Sequence, residues 1–310
     1  MTCYFPLQAY RGKHLTEKGK RSIVFNPKDA FCTSKSFQVT LPCSQCIGCR
    51  LERSRQWAVR CVHESKLHKH NQFVTLTYDN AHLPSDNSLN VRHFQLFMKR
   101  LRKHFGEGIR FFHCGEYGDK YKRPHYHACI FNLNITDKKL HTTTAQGHKL
   151  FTSDIISSIW GKGYVLIGDV TFDSAAYVAR YIMKKVTGDA SLHHYTDIDV
   201  STGEIISSRK PEYTTMSRRP GIAKGWYDRY KSEVFPRDYV VINNKKIKPP
   251  KFYLNQLELT DPEAFLRLKG NRIRQAKLFA DDNTPERLAV KHEVKRLRIQ
   301  SLSRKLDTDL

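Results

Sequence analysis

The chain has 310 residues, a formal net charge of +23 and a pI near 9.7. This length is enough for one large or two small domains. The surplus of positive charge favours a polyanionic partner such as nucleic acid, and a surface made basic only for solubility is the alternative. No apolar run approaches the ~18 residues that a bilayer-spanning helix needs, so we expect a protein that does not enter the membrane.

The hydrophobic patterns predict an α+β fold. Residues 1–42 are expected to form an extended arm with one strand at 36–41, and residues 115–122 and 132–151 are predicted loops. The predicted helices span 50–68, 91–104, 153–160 and 174–188, and the predicted strands span 71–78, 109–114, 123–131 and 164–170. From residue 72 to 187 the order is β-α-β-β-α-β-α. Its first six elements match the split β-α-β arrangement, an antiparallel sheet of four to five strands with helices on one face, and the seventh is free to cover the other face.

Beyond residue 188 the pattern predicts hairpins and then helices. Tight hairpins are predicted at 195–207 and 239–248, and two basic helices capped by Thr260 and Thr284 are predicted towards the C-terminus. The chain therefore divides into four segments. They are an arm with a cysteine cluster and a helix (1–70), the α+β core (71–188), a basic hairpin region (189–256) and a basic helical tail (257–310).

Eight cysteines are present, several of them clustered. The N-terminal residues lack the pattern of a signal peptide, so we expect reduced thiols in a cytosolic protein. Cys43, Cys46 and Cys49 form a Cys-x2-Cys-x2-Cys run typical of zinc or iron–sulfur ligation, and Cys61 follows in the helix predicted at 50–68. These four thiols are candidate ligands of a structural Zn²⁺, and reduced, partly buried thiols are the alternative.

Two histidines alternate along the strand predicted at 123–131. At period two, His125 and His127 point to the same face, so their imidazoles stand side by side with the spacing of a metal clamp. Glu116 lies nine residues upstream of His125, and a hairpin would bring its carboxylate to the same cation. The alternative is a pair of imidazoles with a structural role on a half-buried sheet.

The helix predicted at 174–188 carries candidate nucleophiles. Tyr177, Tyr181 and Lys184 fall at i, i+4 and i+7 on one stripe. Free tyrosine titrates near pH 10, so Lys184 would assist by lowering the tyrosine pKa, orienting the metal or neutralising phosphate. Core packing of an amphipathic helix is the alternative.

Four basic residues are candidate DNA contacts. Arg180 and Lys185 belong to the tyrosine helix, and Arg218 and Arg219 lie in the segment 217–227, where arginines stand beside glycines and aromatic residues. This composition suits a single strand held by phosphate contacts and base stacking, and an irregular surface loop is the alternative.

Together these residues have the composition of a phosphodiester cleavage site. Mg²⁺ or Mn²⁺ held by His125, His127 and Glu116 would polarise the scissile phosphate, and a tyrosine oxygen would attack in line. The 5′ phosphate would stay on the tyrosine while a 3′ hydroxyl leaves. The sequence thus predicts a metal-dependent endonuclease with a phosphotyrosine intermediate.

Three stretches resemble motifs I, II and III of the HUH endonucleases, whose core is RRM-like or ferredoxin-like: Phe73–Tyr78, Arg123–His127 and Tyr177–Lys185. Together with Pro42–Arg50, this two-tyrosine form closely resembles the replication initiators of gokushovirus-type microviruses, small single-stranded DNA phages. The resemblance runs through the predicted core and fades in the C-terminal part of the chain.

The resemblance implies a rolling-circle replication initiator in the bacterial host cytoplasm, acting on single-stranded DNA at the origin of a double-stranded replicative form. One tyrosine would nick the plus strand and keep the 5′ end, while a host helicase unwinds the duplex and a host polymerase extends the 3′ hydroxyl. The other tyrosine would cut and rejoin each finished circle.

The resemblance also bears on individual residues. It implies a third metal ligand on the strand before the histidines, where Glu116 stands and His113 and Tyr117 are alternatives. The Tyr-x2-Lys spacing of the third motif is met by Tyr181 and Lys184, which slightly favours Tyr181 for the first nick.

Two other functions are open at this point. A transposase, plasmid replication protein or relaxase of the same superfamily would use the same chemistry in another setting. A non-catalytic, zinc-stabilised nucleic-acid-binding protein would keep the histidines and tyrosines as structural residues.

Overall fold

The computed structural model describes residues 3–17, 19–34, 37–118, 121–144, 147–180, 185–186, 190–199 and 201–300. Two compact units are present. The first contains the chain up to Glu52 and the stretch from Asn271 onwards, and the second runs from Arg53 to Gly270. The division into four segments stays a prediction. Across the described ranges, no helix is both long enough and apolar enough to cross a bilayer.

The elements are numbered along the chain. The strands are β1 Leu7–Leu15, β2 Arg21–Val24, β3 Gln38–Leu41, β4 Asn71–Thr77, β5 Arg110–Tyr117, β6 Pro124–Phe131, β7 Lys139–Thr143, β8 Lys149–Thr152, β9 Val165–Asp169, β10 Thr196–Ile198, β11 Ile205–Ser208, β12 Tyr213–Met216, β13 Val240–Ile242 and β14 Lys245–Ile247. The helices are α1 Ile47–Ser65, α2 Val91–Phe105, α3 Asp154–Trp160, α4 Phe172–Arg180, α5 Ala190–Tyr195, α6 Lys224–Val234, α7 Lys251–Thr260, α8 Pro262–Lys277 and α9 Pro285–Gln300. Short 3-10 helices span Pro27–Asp29 and Asp281–Asn283.

The first unit contains a small antiparallel sheet with the order β2-β1-β3. Leu7 pairs with Leu41 and Tyr10 with Gln38, so the two ends of this N-terminal segment lie side by side. The arm predicted over residues 1–42 is therefore a sheet. The sequence did not indicate this because these strands lack a regular apolar alternation, and many of their side chains are exposed.

The second unit is built on an antiparallel sheet with the order β12-β5-β6-β4-β9-β8-β7, seven strands within the described residues. The four central strands keep the split β-α-β order, with β4 between β6 and β9. The predicted α+β class is confirmed, but the sheet is larger than the four to five strands expected. Residues 132–151 were wrongly predicted as a loop because β7 is exposed along its whole length and shows no apolar pattern.

Helices cover both faces of this sheet. α2 and α3 pack on one face, where Phe94, Phe97 and Trp160 meet apolar residues of β4 and β6. α1, α4, α6 and α7 contribute to the core on the other face, around Phe112 and Phe131. Because both faces are removed from water, a polar side chain in the middle of the sheet needs a hydrogen-bonding or ionic partner.

The region predicted as hairpins also contains helices. The hairpins β10–β11 and β13–β14 are present, and Asn243 and Asn244 have the positive φ angles, 47° and 59°, that the second turn requires. β12, α6 and α7 were missed. α6 carries Gly225 in its first turn, which weakens its helical signal, but burial of Trp226 and Tyr227 stabilises it through packing.

Three helix starts test the predicted caps. Ser153 caps α3 as expected, because its hydroxyl accepts from the Ile156 amide. α4 begins two residues before Ser174, and the Thr171 hydroxyl accepts from the Ser174 amide. At α8 the cap is Asp261 rather than Thr260, since Asp261 accepts from the Ala264 amide at 2.9 Å. The predicted end of the tyrosine helix at residue 188 lies outside the described residues.

The turn between α3 and β9 gives a stability test. Gly163 has a φ of +137°, and a Cβ there would lie closer than 3.0 Å to backbone atoms of the Thr77–Asp79 segment. We expect Gly163→Ala to reduce the free energy of unfolding by about 3 kcal/mol, because both the backbone conformation and the close approach exclude a side chain. Gly203→Ala, which also has positive φ (+73°) but no neighbour within 4 Å, should cost only about 1 kcal/mol. Urea denaturation measures both, and equal losses would contradict the close approach.

Candidate active site

The predicted metal ligands come together on adjacent strands. In the β5–β6 register Glu116 lies opposite His125, and Cys114 lies opposite His127. One Glu116 carboxylate oxygen is 2.8 Å from Nε2 of His125 and 2.7 Å from Nε2 of His127. One donor atom from each of the three residues lies within 4.8 Å of the others. The hairpin inferred from the sequence thus brings the carboxylate between the two imidazoles.

Hydrogen bonds on the far side of each ring orient both imidazoles. Nδ1 of His125 donates to the carbonyl of Arg123 at 3.1 Å. Nδ1 of His127 shares a hydrogen bond with the hydroxyl of Thr75, which lies directly opposite on β4, at 2.9 Å. Both Nε2 atoms are therefore directed towards Glu116, and metal-binding histidines are commonly held through their other nitrogen in this way. The sequence analysis gave Thr75 no role; its position in a strand paired with the histidine strand was the signal available.

Burial and charge also suit a cation. Glu116 and His127 are each 1% exposed, whereas the His125 side chain is 14% exposed, so the group is most accessible at His125. Burial raises the pKa of the Glu116 carboxyl, but hydrogen bonds from the two histidines outweigh burial and lower this pKa to about 2. Glu116 is therefore an anion at neutral pH. Two imidazole nitrogens and a carboxylate oxygen form a donor set that fits a divalent cation.

The two alternative third ligands lie on the opposite face of β5. His113 is fully buried and stacks on Phe94 of α2, with 3.4 Å between ring centroids. Burial lowers the pKa of His113 well below its usual range, so this ring stays neutral. The hydroxyl of Tyr117 donates to the Lys210 carbonyl and accepts from the Leu89 amide. Strand alternation thus brings Glu116, and neither alternative, to the histidines.

Tyr177 is next to this group. α4 packs against β5 and β6, and the Tyr177 ring meets the His127 ring edge-on, with 5.1 Å between centroids. Phe73 stacks on the other side of this contact, 5.7 Å from His127 and 6.3 Å from Tyr177. The tyrosine is 9% exposed. α4 therefore covers the histidine face, and it carries a phenol into contact with a candidate metal ligand.

The other two residues of the tyrosine stripe, Tyr181 and Lys184, lie outside the described residues. Their predicted roles stay predictions.

The candidate DNA contacts are at the surface. Arg180 at the end of α4, Lys185, Arg218 and Arg219 are all exposed. The aromatic residues of segment 217–227 are not available for base stacking. Trp226 stacks on His63, and Tyr227 is fully buried in the core. The expectation that arginines and aromatics act together in this segment is therefore corrected.

The cysteine group differs from the one predicted. Cys43, Cys46 and Cys49 lie together with Cys3, with one sulfur from each within 4.8 Å of the others. Cys61 is fully buried in the core of the second unit, where it hydrogen-bonds with Cys129. Burial raises the pKa of the Cys61 thiol, which disfavours the thiolate that a metal requires. Cys3 therefore replaces Cys61 in this group.

Residues 71–186 match the family model of the replication-associated protein ORF2. The chain is 37% identical to replication-associated protein VP4 of Bdellovibrio phage phiMH2K over 84% of this chain and 80% of that protein. It is 32% identical to replication-associated protein ORF2 of Spiroplasma virus 4, over 90% and 88% of the two chains. It is also 32% identical to replication-associated protein ORF4 of Chlamydia phage 1, over 74% and 56%. No solved structure matches the chain.

The packing of Tyr177 can be tested separately from its hydroxyl. Tyr177→Ala removes a nearly buried ring and should reduce the free energy of unfolding by about 3 kcal/mol. Tyr177→Phe keeps the ring and should cost no more than about 1 kcal/mol. Tyr164→Ala, at a 70% exposed tyrosine, is the control and should change stability by less than about 0.5 kcal/mol. Urea denaturation of the full chain measures all three, and equal losses for both alanine variants would contradict the contact.

Proposed function

Because the chain belongs to the replication-associated proteins of microviruses, we propose that it initiates rolling-circle replication by nicking and rejoining DNA at a phage origin. The observation that carries this proposal is the convergence of Glu116, His125 and His127 beside the Tyr177 ring. A carboxylate held between two oriented imidazoles, with a phenol in contact, is a group suited to transferring a phosphodiester to tyrosine.

The strand residues would hold the cation and the phosphate. Mg²⁺ or Mn²⁺ bound by Glu116, His125 and His127 would polarise the scissile phosphate and offset its developing charge. Thr75 and the Arg123 carbonyl keep the imidazoles oriented, so little rearrangement is needed when DNA arrives. His125 is the most accessible of the three ligands, and the phosphate would therefore approach from its side.

The nucleophile is a tyrosine on the helix that covers this face, Tyr177 or Tyr181. Its oxygen forms a bond to phosphorus as the bond to the 3′ oxygen breaks. The phenol loses one proton and the departing 3′ oxygen gains one. One phosphodiester is exchanged for another, so the tyrosine keeps the 5′ end and the bond energy needed for rejoining is conserved. Lys184 would lower the pKa of the attacking phenol or neutralise the phosphate.

Two tyrosines suit repeated rounds of replication. One holds the 5′ end while a host helicase unwinds the replicative form and a host polymerase extends the 3′ hydroxyl. The second then cleaves the regenerated origin and the circle is rejoined. These steps would take place in the cytoplasm of the bacterial host.

The charge of the chain supports a DNA substrate. A net charge of +23 attracts the phosphate backbone strongly and without sequence preference. Arg180, Lys185, Arg218 and Arg219 are exposed and would contact phosphates. The origin itself would be distinguished by other contacts to bases.

The covalent intermediate is the first prediction. Single-stranded oligonucleotides that tile the phage plus strand and carry a 3′ label are incubated with the full chain and Mg²⁺ or Mn²⁺. We expect one tile to give a labelled protein band that survives denaturation. The double variant Tyr177→Phe/Tyr181→Phe should lose at least about 100-fold of this band, because the attacking oxygen is gone while both rings remain.

A matched variant controls for surface effects. Tyr164→Phe changes an exposed tyrosine and should retain the adduct. If the wild-type chain binds DNA but forms no adduct with any tile and either cation, the non-catalytic binding protein is the correct function. If the double variant keeps the adduct, the nucleophile is another residue.

Cation binding is the second prediction. We expect His127→Ala to weaken Mn²⁺ binding by about 100-fold, because one of three ligands is lost. Thr75→Val removes only the hydroxyl that orients His127 and should weaken binding by about 10-fold. His82→Ala, at an exposed histidine beside Asp79, is the control. The paramagnetic resonance signal of free Mn²⁺ measures all four proteins, and unchanged affinity in His127→Ala would contradict the assigned ligands.

A further inference from the structure

Four sulfur atoms lie together in the first unit, at a distance in sequence that no short motif spans. Cys3 precedes β1, Cys43 and Cys46 follow β3, and Cys49 is in the first turn of α1. One sulfur of each lies within 4.8 Å of the other three. Pairing of β1 with β3, with Leu7 opposite Leu41, brings the two ends of the segment together and so adds Cys3 to the other three thiols.

Backbone amides point at three of these sulfurs. The Cys43 amide donates to Sγ of Cys3 at 3.2 Å, and the Cys46 amide donates to Sγ of Cys43 at 3.3 Å. The Tyr4 amide donates to Sγ of Cys46 at 3.4 Å. Amide donors of this kind stabilise negative charge on sulfur, and the start of α1 adds the positive end of a helix dipole. The surroundings therefore favour thiolates, which are the form that binds metal.

The spacing fits one ion bound by all four sulfurs. A tetrahedral zinc with Zn–S bonds of about 2.3 Å places its sulfurs about 3.8 Å apart, within the observed limit. A multi-iron cluster needs its thiolates further apart, because they bind different iron atoms. We propose that Cys3, Cys43, Cys46 and Cys49 bind a single Zn²⁺ that holds the N-terminal sheet to the start of α1. Four protein ligands leave no open position, so this zinc is structural.

The composition of the first unit explains why it would need such an ion. Among its described residues, the buried apolar ones are Cys3, Ala9, Ala30, Cys46 and Leu288. Large apolar side chains such as Phe25, Phe31 and Leu15 are instead more than half exposed. A core this small contributes little burial free energy, and small units of this kind are commonly stabilised by a metal or by disulfides.

Metal content and cysteine variants test the proposal. The full chain is purified without added metal under reducing conditions, and its zinc and iron are measured by plasma mass spectrometry. We expect one zinc per chain and no iron. Cys3→Ser should lose at least about nine-tenths of the zinc, because a closed site loses one of its four ligands. Cys32→Ser, at a partly exposed cysteine of the same unit outside the group, should retain it.

A third variant separates the two possible fourth ligands. Cys61→Ser should retain zinc if Cys3 completes the site. Zinc lost in Cys61→Ser and retained in Cys3→Ser would overturn the assignment, and so would stoichiometric iron or a wild-type chain without zinc.

Cobalt substitution gives a readout that does not depend on how the variants fold. The wild-type chain is stripped of metal and titrated with Co²⁺. We expect the visible absorption of a tetrahedral cobalt site and the intense near-ultraviolet sulfur-to-cobalt band of four thiolates. Weak, octahedral-type absorption would overturn the proposal. The nicking assay addresses other residues, so failure of either test leaves the other proposal standing.

Discussion

The carboxylate of Glu116, buried between two imidazoles in the middle of a covered sheet, is the interaction on which the site depends. An unpaired charge at this depth would cost several kcal/mol, so the group is stable only with both histidines or a cation beside it. The β5–β6 register is therefore under strong constraint. A slip of one residue would turn Glu116 to the opposite face, where His113 and Tyr117 now make apolar and hydrogen-bonded contacts.

The two faces of the large sheet have different tasks. The face under α2 and α3 holds an apolar and aromatic core, and His113 is part of it as a neutral ring. The face under α4 carries the ionic group as well as apolar residues, and Tyr177 belongs to both. Alternation along β5 and β6 is what separates these tasks. The same strands can thus provide stability on one side and chemistry on the other.

Local patterns in the sequence were sufficient for much of this arrangement. The period-two spacing of His125 and His127 and the helical stripe of Tyr177 predicted which faces they share, because both depend on one element each. Features that depend on distant pairing were not predictable. Cys3 joins the other thiols only through the β1–β3 register, and β12 joins the sheet from nearly a hundred residues beyond β5. α6 forms because its aromatic residues are buried, in spite of a weak local signal.

The position of β12 limits how far the protein can be shortened. The segment that matches the family model, residues 71–186, ends before β12 and leaves out α1, α6 and α7. A fragment with those boundaries would expose the backbone edge of β5, the strand that carries Glu116, and would uncover much of the apolar surface around Phe112. Such a fragment would be prone to edge-to-edge aggregation. A workable minimal nuclease must therefore keep sequence from both sides of the matched segment.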